Sequence, residues 1–246
     1  MCVGQLFDIP GTTKRNEFKL NNGLKQTLGN EKFITMIDSG DDFTVFVTHD
    51  NTLFAAGLNS ENLFGLPPKQ KDSTIPSHSI THDVVSKPTI IPSSNYNHLN
   101  FKTPKDITHL SCGANHICVV TEGENIYISG LLKKTGKFTF IEAKLFEEPY
   151  ANNAKLQTNF VSMIDSGLNY TVVVINGVDI YIMCKVIENT NYYYYGYTST
   201  SHNDFSYTKG KFVHLKRHTS DIGLIRQISC GKSHFVFLNE YNELYG

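Results

Sequence analysis

Two histidines in nearly identical surroundings are the first candidates for acid–base chemistry. His116 lies in SCGANHICVV and His234 lies in SCGKSHFVFL, each three residues after a glycine. A histidine exchanges protons near neutral pH, so either residue could serve a catalytic site. The equivalent place in two further copies of the pattern holds Phe43 and Tyr170. A position that accepts any ring indicates aromatic packing rather than proton transfer.

Metal and nucleophile chemistry find little support elsewhere in the sequence. His78 and His82 are four residues apart, but Pro76 and the nearby serines oppose the helix that would place both on one face. No cysteine or carboxylate stands at a spacing typical of zinc sites. The usual phosphate-binding, serine-hydrolase and zinc-protease motifs are absent as well. We therefore predict no catalytic residue, no cofactor and no metal, and leave open an activity that needs no such motif.

Three groups of residues are candidates for contact with a partner. Asp38 and Asp165 occupy the same place in two copies of the pentapeptide MIDSG, where they could line a channel or accept amide bonds in a tight turn. Residues 192–195 are four tyrosines, which suit an interface or a strand. Residues 214–218 form a basic cluster that could contact a phosphate or an acidic partner. The predicted partner-binding residues are Asp38, Asp165, Tyr193, Tyr195, Lys216 and Arg217.

The glycine of MIDSG recurs four times and defines an internal repeat. Its copies are Gly40, Gly113, Gly167 and Gly231, at intervals of 73, 54 and 64 residues. We number each repeat from this glycine as position zero. Positions −6 and −3 are aliphatic, position −1 is serine or cysteine, and position +3 is a ring. Position +14 is aromatic in every copy: Phe54, Tyr127, Tyr181 and Tyr245.

Each repeat predicts a hairpin within a larger sheet. Positions +5 to +7 are apolar in all four copies, as in residues 45–47 and 172–174. A continuous apolar run is typical of a strand covered on both faces. Polar turn residues follow, and asparagine or glycine there tolerates the positive φ of a tight hairpin. A doubly covered sheet that recurs every 54 to 73 residues indicates the blades of a β-propeller.

The pattern resembles the RCC1 (regulator of chromosome condensation) repeat. The clearest stretches are ITHLSCGANHICVVTEGENIYISG and LIRQISCGKSHFVFLNEYNELYG, and GLNSENLFGL at 57–66 is similar to the glycine-containing loop of that family. The chain lacks the family's tryptophan before the hairpin-closing glycine, and it has about four blades where the family closes seven. The signature residues that the resemblance implies are Gly40, Gly57, Gly65, Gly113, Gly130, Gly167, Gly231, Phe54, Tyr127, Tyr181, Tyr245, His116 and His234.

We therefore predict an all-β fold, a β-propeller of about four RCC1-like blades that is incomplete or open. A single domain is expected over residues 1–246, with repeat cores at 33–66, 107–130, 160–184 and 224–246. Residues 67–106 hold six of the eight prolines and are predicted to be a Pro/Ser-rich insertion. Within it we expect loop, with one edge strand near residues 89–91.

Composition narrows the function classes. The 22 basic and 23 acidic residues nearly cancel, so neither nucleic acid nor an anionic membrane is a predicted partner. Five cysteines without a C-x-x-C pair, and no signal-peptide or long apolar pattern, predict the cytoplasm or nucleus. We expect a protein-interaction module or regulatory scaffold with a protein partner. The resemblance implies two alternatives: a guanine nucleotide exchange factor for a Ran-type small GTPase, and a regulatory part of a larger kinase or ubiquitin ligase.

Overall fold

A computed structural model of the chain describes residues 22–59, 63–66, 83–92, 107–122, 125–130, 141–145, 160–184, 211–215 and 222–246. These ranges contain fifteen strands and one short helix, α1, Asn22–Leu28. The strands are β1 Ile34–Ser39, β2 Phe43–Thr48, β3 Leu53–Asn59, β4 Asp83–Ile90, β5 Ile107–Gly113, β6 His116–Thr121, β7 Asn125–Gly130, β8 Ile141–Leu145, β9 Val161–Ser166, β10 Tyr170–Ile175, β11 Asp179–Cys184, β12 Lys211–His214, β13 Ile225–Cys230, β14 Phe235–Asn239 and β15 Leu244–Tyr245. The all-β prediction is confirmed, although it did not include α1.

Four groups of consecutive antiparallel strands form the blades. Blade 1 contains β1–β4, blade 2 contains β5–β8, blade 3 contains β9–β12 and blade 4 contains β13–β15. The outer strands β8 and β12 also pair in parallel, which joins blades 2 and 3 into one eight-stranded sheet. The first strands of the blades contact each other in chain order, as innermost strands do. No comparable contact leads from β13 back to β1, so the blades in the described ranges form an open arc.

The second strand of blades 1, 2 and 3 lies at the buried centre of its blade, whereas β14 of blade 4 is only partly buried. Val45, Phe46 and Val47 of β2 are fully buried, and β6 and β10 are buried at every position. This confirms that the apolar runs are covered on both faces in blades 1 to 3, whereas Val236 and Leu238 in blade 4 are only half-buried. One apolar cluster fills each space between neighbouring blades. Since a large buried side chain contributes roughly 1.5–3 kcal/mol, these clusters dominate the stability of the arc.

Asparagine and glycine close the hairpins at positive φ. Asn51, Asn176 and Asn242 stand between the second and third strands with φ of 60°, 53° and 61°. At the opposite end of the third strand, Gly57 and Gly130 have φ of 110° and 102°. A Cβ at either glycine would overlap a backbone carbonyl oxygen of the adjacent turn. The turn chemistry predicted from the sequence is therefore present in the hairpins described.

Part of the proline-rich segment 67–106 belongs to the sheet. β4 pairs antiparallel with β3 from Asp83 to Ile90, so the edge strand expected near residues 89–91 is longer and begins earlier. Pro88 is compatible with this strand because β4 lies at the edge of its sheet. No helix in the described ranges is long and apolar enough to cross a membrane.

Candidate functional site

The repeat glycine lies where neighbouring blades come closest. A Cβ on Gly40 would lie 2.5 Å from the carbonyl oxygen of Gly113. A Cβ on Gly113 would lie equally close to the carbonyl oxygen of Gly167, and a Cβ on Gly167 to that of Gly231. The ring at position +3 covers the same glycine, so that a Cβ on Gly113 would overlap the His116 imidazole. At Gly40, Gly113 and Gly167 both contacts exclude a side chain, and at Gly231 the His234 ring alone does so, which explains why glycine recurs at position zero.

One of two hydrogen-bonding arrangements uses a carboxylate to join two blades. Cys112 N donates to Asp38 Oδ2 at 2.7 Å, and Cys230 N donates to Asp165 Oδ2 at 2.6 Å. The other oxygen of each carboxylate accepts the next amide of its own strand. We call this arrangement the carboxylate junction. It joins blade 1 to blade 2 and blade 3 to blade 4.

The second arrangement is the hydroxyl junction, which joins blade 2 to blade 3. The hydroxyl of Ser111 donates to that of Ser166 at 2.8 Å, and the Ser166 hydroxyl lies 2.9 Å from that of Thr171. The Nε2 atom of His116 lies 2.8 Å from the Thr171 Oγ1 atom. Four side chains therefore form one hydrogen-bonded chain across the boundary between the blades.

The environments of the two histidines differ. His116 is 1% exposed, and burial lowers its pKa to about 3. A neutral imidazole that is sealed from solvent and bonded to Thr171 serves the junction, and no substrate can reach it. The hydrogen bond could not be read from one repeat because Thr171 belongs to the next. His234 occupies the equivalent place in blade 4 and is exposed.

The structure places two of the six predicted partner-binding residues. Both oxygens of Asp38 and of Asp165 accept backbone amides, so these side chains serve the carboxylate junctions, and partner contact by them stays a prediction. Burial raises the pKa of the Asp38 carboxyl, and its two amide hydrogen bonds act in the opposite direction. Four others lie outside the described residues: Tyr193, Tyr195, Lys216 and Arg217.

The aromatic residues at position +14 and the loop glycine pack within the arc. Phe54 and Tyr245 each stack on a phenylalanine of the adjacent strand, with ring centroids 5.1 and 4.9 Å apart. Tyr127 is part of the apolar cluster between blades 1 and 2, and Tyr181 packs against the cluster between blades 2 and 3. Gly65, in the loop after β3, has a φ of 59°.

Exposed apolar side chains recur on the edge of the arc that carries the turns between second and third strands, which we call the turn edge. Position −7 holds Phe33, Phe160 and Leu224, which are 62%, 51% and 49% exposed. Tyr241 lies over Gly223, next to Leu224, and is 60% exposed. Position −7 of blade 2 falls outside the described residues. Large apolar side chains are thus exposed to solvent along the turn edge.

The backbone at position −7 is held in the same way in all three blades. Its carbonyl accepts the amide of position +9, and its own amide donates to the +9 side chain. The acceptors are His49 Nδ1 at 3.5 Å, Asn176 Oδ1 at 3.0 Å and Glu240 Oε1 at 2.8 Å. Sequence reasoning missed this surface, although an apolar residue seven places before the glycine is visible in three repeats.

Charged groups also lie along the turn edge, among them Glu240, which accepts the Leu224 amide, and Arg226, which donates to Asn242. Lys32 Nζ lies 2.6 Å from Asp50 Oδ2, and its hydrogen bond holds the pKa of that carboxyl below its usual range. Across the described residues, no group of three or more histidine, cysteine, aspartate or glutamate side chains could hold a metal ion. The turn edge therefore offers apolar side chains beside charged and hydrogen-bonding groups.

Known proteins were compared with the chain by sequence and by structure. No family profile matches the chain. The serine/threonine-protein kinase Nek9 of Mus musculus is 30% identical over 99 residues, which are 40% of this chain and 8% of that protein. The X-linked retinitis pigmentosa GTPase regulator of Canis lupus familiaris is 30% identical over 96 residues, which are 39% of this chain and 8% of that protein.

Solved structures match more of the chain. Human WBSCR16 superposes with a TM-score of 0.55 at 11% identity, over 88% of this chain and 48% of its own. Yeast RCC1 (Prp20) superposes with a TM-score of 0.56 at 13% identity, over 88% of this chain and 44% of its own. The chain folds as an RCC1-like β-propeller. It spans 8% of each curated relative and about half of each solved structure.

Proposed function

We propose that the chain is a protein-interaction module that binds a protein partner through the turn edge. The observation that supports this is the exposure of a large apolar side chain at position −7 in three blades: Phe33, Phe160 and Leu224. Phe160 and Leu224 lie on adjacent blades, whereas blade 2, with Asp106 at position −7, separates Phe33 from them. Exposed apolar side chains that lie together on a surface mark interaction sites. Aromatic residues are also enriched in the cores of protein interfaces, and Tyr241 extends the group.

The paired hydrogen bonds at position −7 favour binding by a prepared surface. They hold the backbone of Phe33, Phe160 and Leu224 before any partner arrives. Less conformational freedom is then lost on association, so more of the contact energy appears as affinity. The turn edge is in this respect a better binding surface than an unsupported loop with the same side chains.

Substitution of the turn edge tests this proposal. The tagged full chain, the variant F33S/F160S and the control I37S/V84S are immobilised, and bound proteins are quantified from nuclear and cytosolic extracts. Ile37 and Val84 are 59% and 57% exposed but lie away from the turn edge, so the control removes similar apolar surface. We expect one set of proteins to bind the parent and the control, and to bind F33S/F160S at least about tenfold less, because interface aromatics often contribute 2 kcal/mol or more. Equal loss in both variants would contradict the proposal.

Guanine nucleotide exchange on a Ran-type small GTPase is the second candidate. Prp20p from Saccharomyces cerevisiae, described together with its binding to Gsp1p and histones, has the same fold with a TM-score of 0.53 at 14% identity. One curated relative is named as a GTPase regulator. The test is release of fluorescent GDP from a Ran-type GTPase: an exchange factor accelerates it in proportion to its concentration, and an interaction module leaves it unchanged. A regulatory role within a longer kinase or ligase is compatible with the first proposal.

A further inference from the structure

Asn176 and Gly177 form the two-residue turn between β10 and β11, within blade 3. Their φ values are 53° and 71°, and the Val178 amide donates to the Ile175 carbonyl at 3.0 Å. Two consecutive residues at positive φ, closed by this bond, define a type I′ hairpin turn. Asparagine before glycine suits that turn. It is also the pair in which the side-chain amide is most open to attack by the following backbone nitrogen, because glycine has no Cβ to hinder the approach.

The hairpins of blades 1 and 4 provide internal comparisons. Asn51 and Asn242 have φ of 60° and 61°, close to the value at Asn176. Thr52 and Glu243 follow them, so a Cβ stands beside the backbone nitrogen that would have to attack. Three asparagines therefore share one backbone conformation, and the glycine that follows distinguishes Asn176 from the other two.

Hydrogen bonds hold both groups that would react. The Asn176 Oδ1 atom accepts the Phe160 amide at 3.0 Å, which polarises the side-chain carbonyl and fixes its position. The Gly177 amide donates to the Ser162 Oγ atom at 3.0 Å, and the Ser162 hydroxyl donates to the Val174 carbonyl at 3.0 Å. The Gly177 nitrogen must leave Ser162 before it can attack Asn176. The bond to Ser162 therefore slows the reaction.

The turn is accessible to water and has room for the backbone to shift. Asn176 and Gly177 are both half-buried, at the turn edge. Apart from chain neighbours, the atom nearest to a Cβ on Gly177 would be Leu224 Cδ2, at 3.6 Å. At Gly57 and Gly130 a backbone carbonyl oxygen would lie at 2.3 and 2.4 Å instead. Packing thus restrains this turn less than the glycines at the opposite end of the third strand.

We propose that Asn176 is a site of spontaneous deamidation and that the Ser162 hydroxyl sets its rate. The Gly177 nitrogen loses its proton and bonds to the Asn176 Cγ atom, while the Cγ–Nδ2 bond breaks and Nδ2 leaves as ammonia with that proton. Water then opens the cyclic imide at either of its carbonyls, which gives aspartate or isoaspartate. Water is the co-reactant, and the oxidation state of every atom is unchanged.

Isoaspartate at this position would change the turn edge. Its main chain passes through the former side chain, so one methylene is added to the turn between β10 and β11. This addition displaces the Gly177 carbonyl, which accepts the Ile225 amide of blade 4 at 2.7 Å, and removes Oδ1 from the Phe160 amide. Aspartate keeps a side-chain oxygen for that amide. A loss of partner binding on deamidation rests on the proposed function, whereas the deamidation itself does not.

Peptide mapping of the purified full chain during incubation at neutral pH tests the proposal. Tandem mass spectrometry should locate the exchange of amide for acid at Asn176, and an isoaspartyl methyltransferase should label the same peptide. Asn51 and Asn242 should stay unchanged over the same time. A second Asn-Gly pair, at 22–23, lies in a different tryptic peptide and is measured separately.

Variants of Ser162 test whether its hydroxyl sets the rate. S162A removes the acceptor of the Gly177 amide, and we expect deamidation about fivefold faster, as loss of one hydrogen bond allows. S162T keeps a hydroxyl and should deamidate like the parent. Threonine is compatible with this position, because Thr35 and Thr108 hold it in blades 1 and 2 and donate to the carbonyl at position +7, as Ser162 does.

Two results would overturn the inference. One is a folded parent that stays unmodified at Asn176 while the urea-unfolded chain deamidates there, which would confine the reaction to the unfolded state. The other is a folded S162A variant that deamidates at the rate of the parent. In urea the two proteins should react equally fast, so a difference between the folded chains reports the Ser162 bond. The free energy of unfolding of S162A checks that its unfolded fraction is too small to account for the faster reaction.

Discussion

At the scale of single residues, position +3 shows how one place in a repeat serves different junctions. The ring is required in every blade because it covers the repeat glycine. The polar group of the ring forms a hydrogen bond with the next blade: His116 bonds Thr171, and the Tyr170 hydroxyl donates to the carbonyl of Gly231 at 2.9 Å. Phe43 has no polar end, and its junction relies on Asp38 instead. The requirement for a ring was predictable from the sequence, whereas its bonding partner was not, because that partner lies in the next repeat.

Replacement of His116 by glutamine should remove a pH-dependent loss of stability. The pKa of His116 is about 3 in the folded chain, below its ordinary value near 6.5 in the unfolded chain. Between these values only the unfolded chain binds the proton, so stability falls as the pH falls, by about 1.4 kcal/mol per pH unit. Above pH 6.5 this group contributes no slope. We expect the parent to show this slope and H116Q to lack it.

Urea unfolding at several pH values between 4 and 8 measures this effect. The other titrating groups are common to both proteins, so the difference between their free energies of unfolding isolates His116. A difference that stays constant over the whole range would contradict a buried, neutral His116. A smaller constant offset is expected as well, because glutamine cannot reproduce the imidazole bond to Thr171.

At the scale of elements, the inner strands act as a row of short junctions, each made of one glycine contact and a few polar side chains. The glycine part was predictable because a residue conserved among four repeats of one chain signals a spatial constraint. The polar part was predictable only in part, since Asp38 and Asp165 were read as acceptors of neighbouring amides in a turn and not as links to the next blade. Their partners, Cys112 and Cys230, are 74 and 65 residues away along the chain.

Alanine at Gly113 should destabilise the arc far more than alanine at Gly29. A Cβ at position 113 meets the Gly167 carbonyl oxygen at 2.5 Å and overlaps the His116 ring. Gly29 has a φ of 73° and nothing within 4 Å of its Cβ position, so G29A reports the conformational penalty alone. We expect a loss of about 1 kcal/mol for G29A and of 4 kcal/mol or more for G113A. Urea midpoints provide the comparison, and similar losses would refute a close blade contact at Gly113.

Removal of the Asp38 carboxylate should weaken the junction between blades 1 and 2. In D38A the buried Cys112 amide loses its acceptor, with an expected loss of about 1–3 kcal/mol. D38N keeps one oxygen for this amide, while the exposed Ser39 amide can turn to water, so its loss should be under about 1 kcal/mol. The free energy of unfolding at pH 7 distinguishes them. Equal losses in both variants would show that the Cys112 bond does not stabilise the junction.

At the scale of the whole molecule, local signals predicted the blades and non-local contacts decided how they join. Each repeat predicted its own sheet, because apolar runs, asparagine turns and the repeated glycine are all features of a single blade. β4 was mostly missed because prolines and polar residues surround an edge strand that contributes little apolar pattern. The turn edge was missed for another reason: its apolar residues precede the strands and resemble part of the core until their exposure is known.

The uneven burial of the blades predicts an uneven stability along the arc. Repeat arrays are stabilised by contacts between neighbours. In the part of the chain that the structure describes, blade 4 has one covered face and three strands, whereas blades 2 and 3 have two covered faces. Local opening should therefore need less free energy in β14 than in β6 or β10. Native-state hydrogen exchange at low protein concentration is expected to show amides of residues 236–238 exchanging at least about tenfold faster than those of residues 118–120. Equal exchange rates in the dilute monomer would mean that the arc opens as a single cooperative unit and that burial between blades does not set local stability.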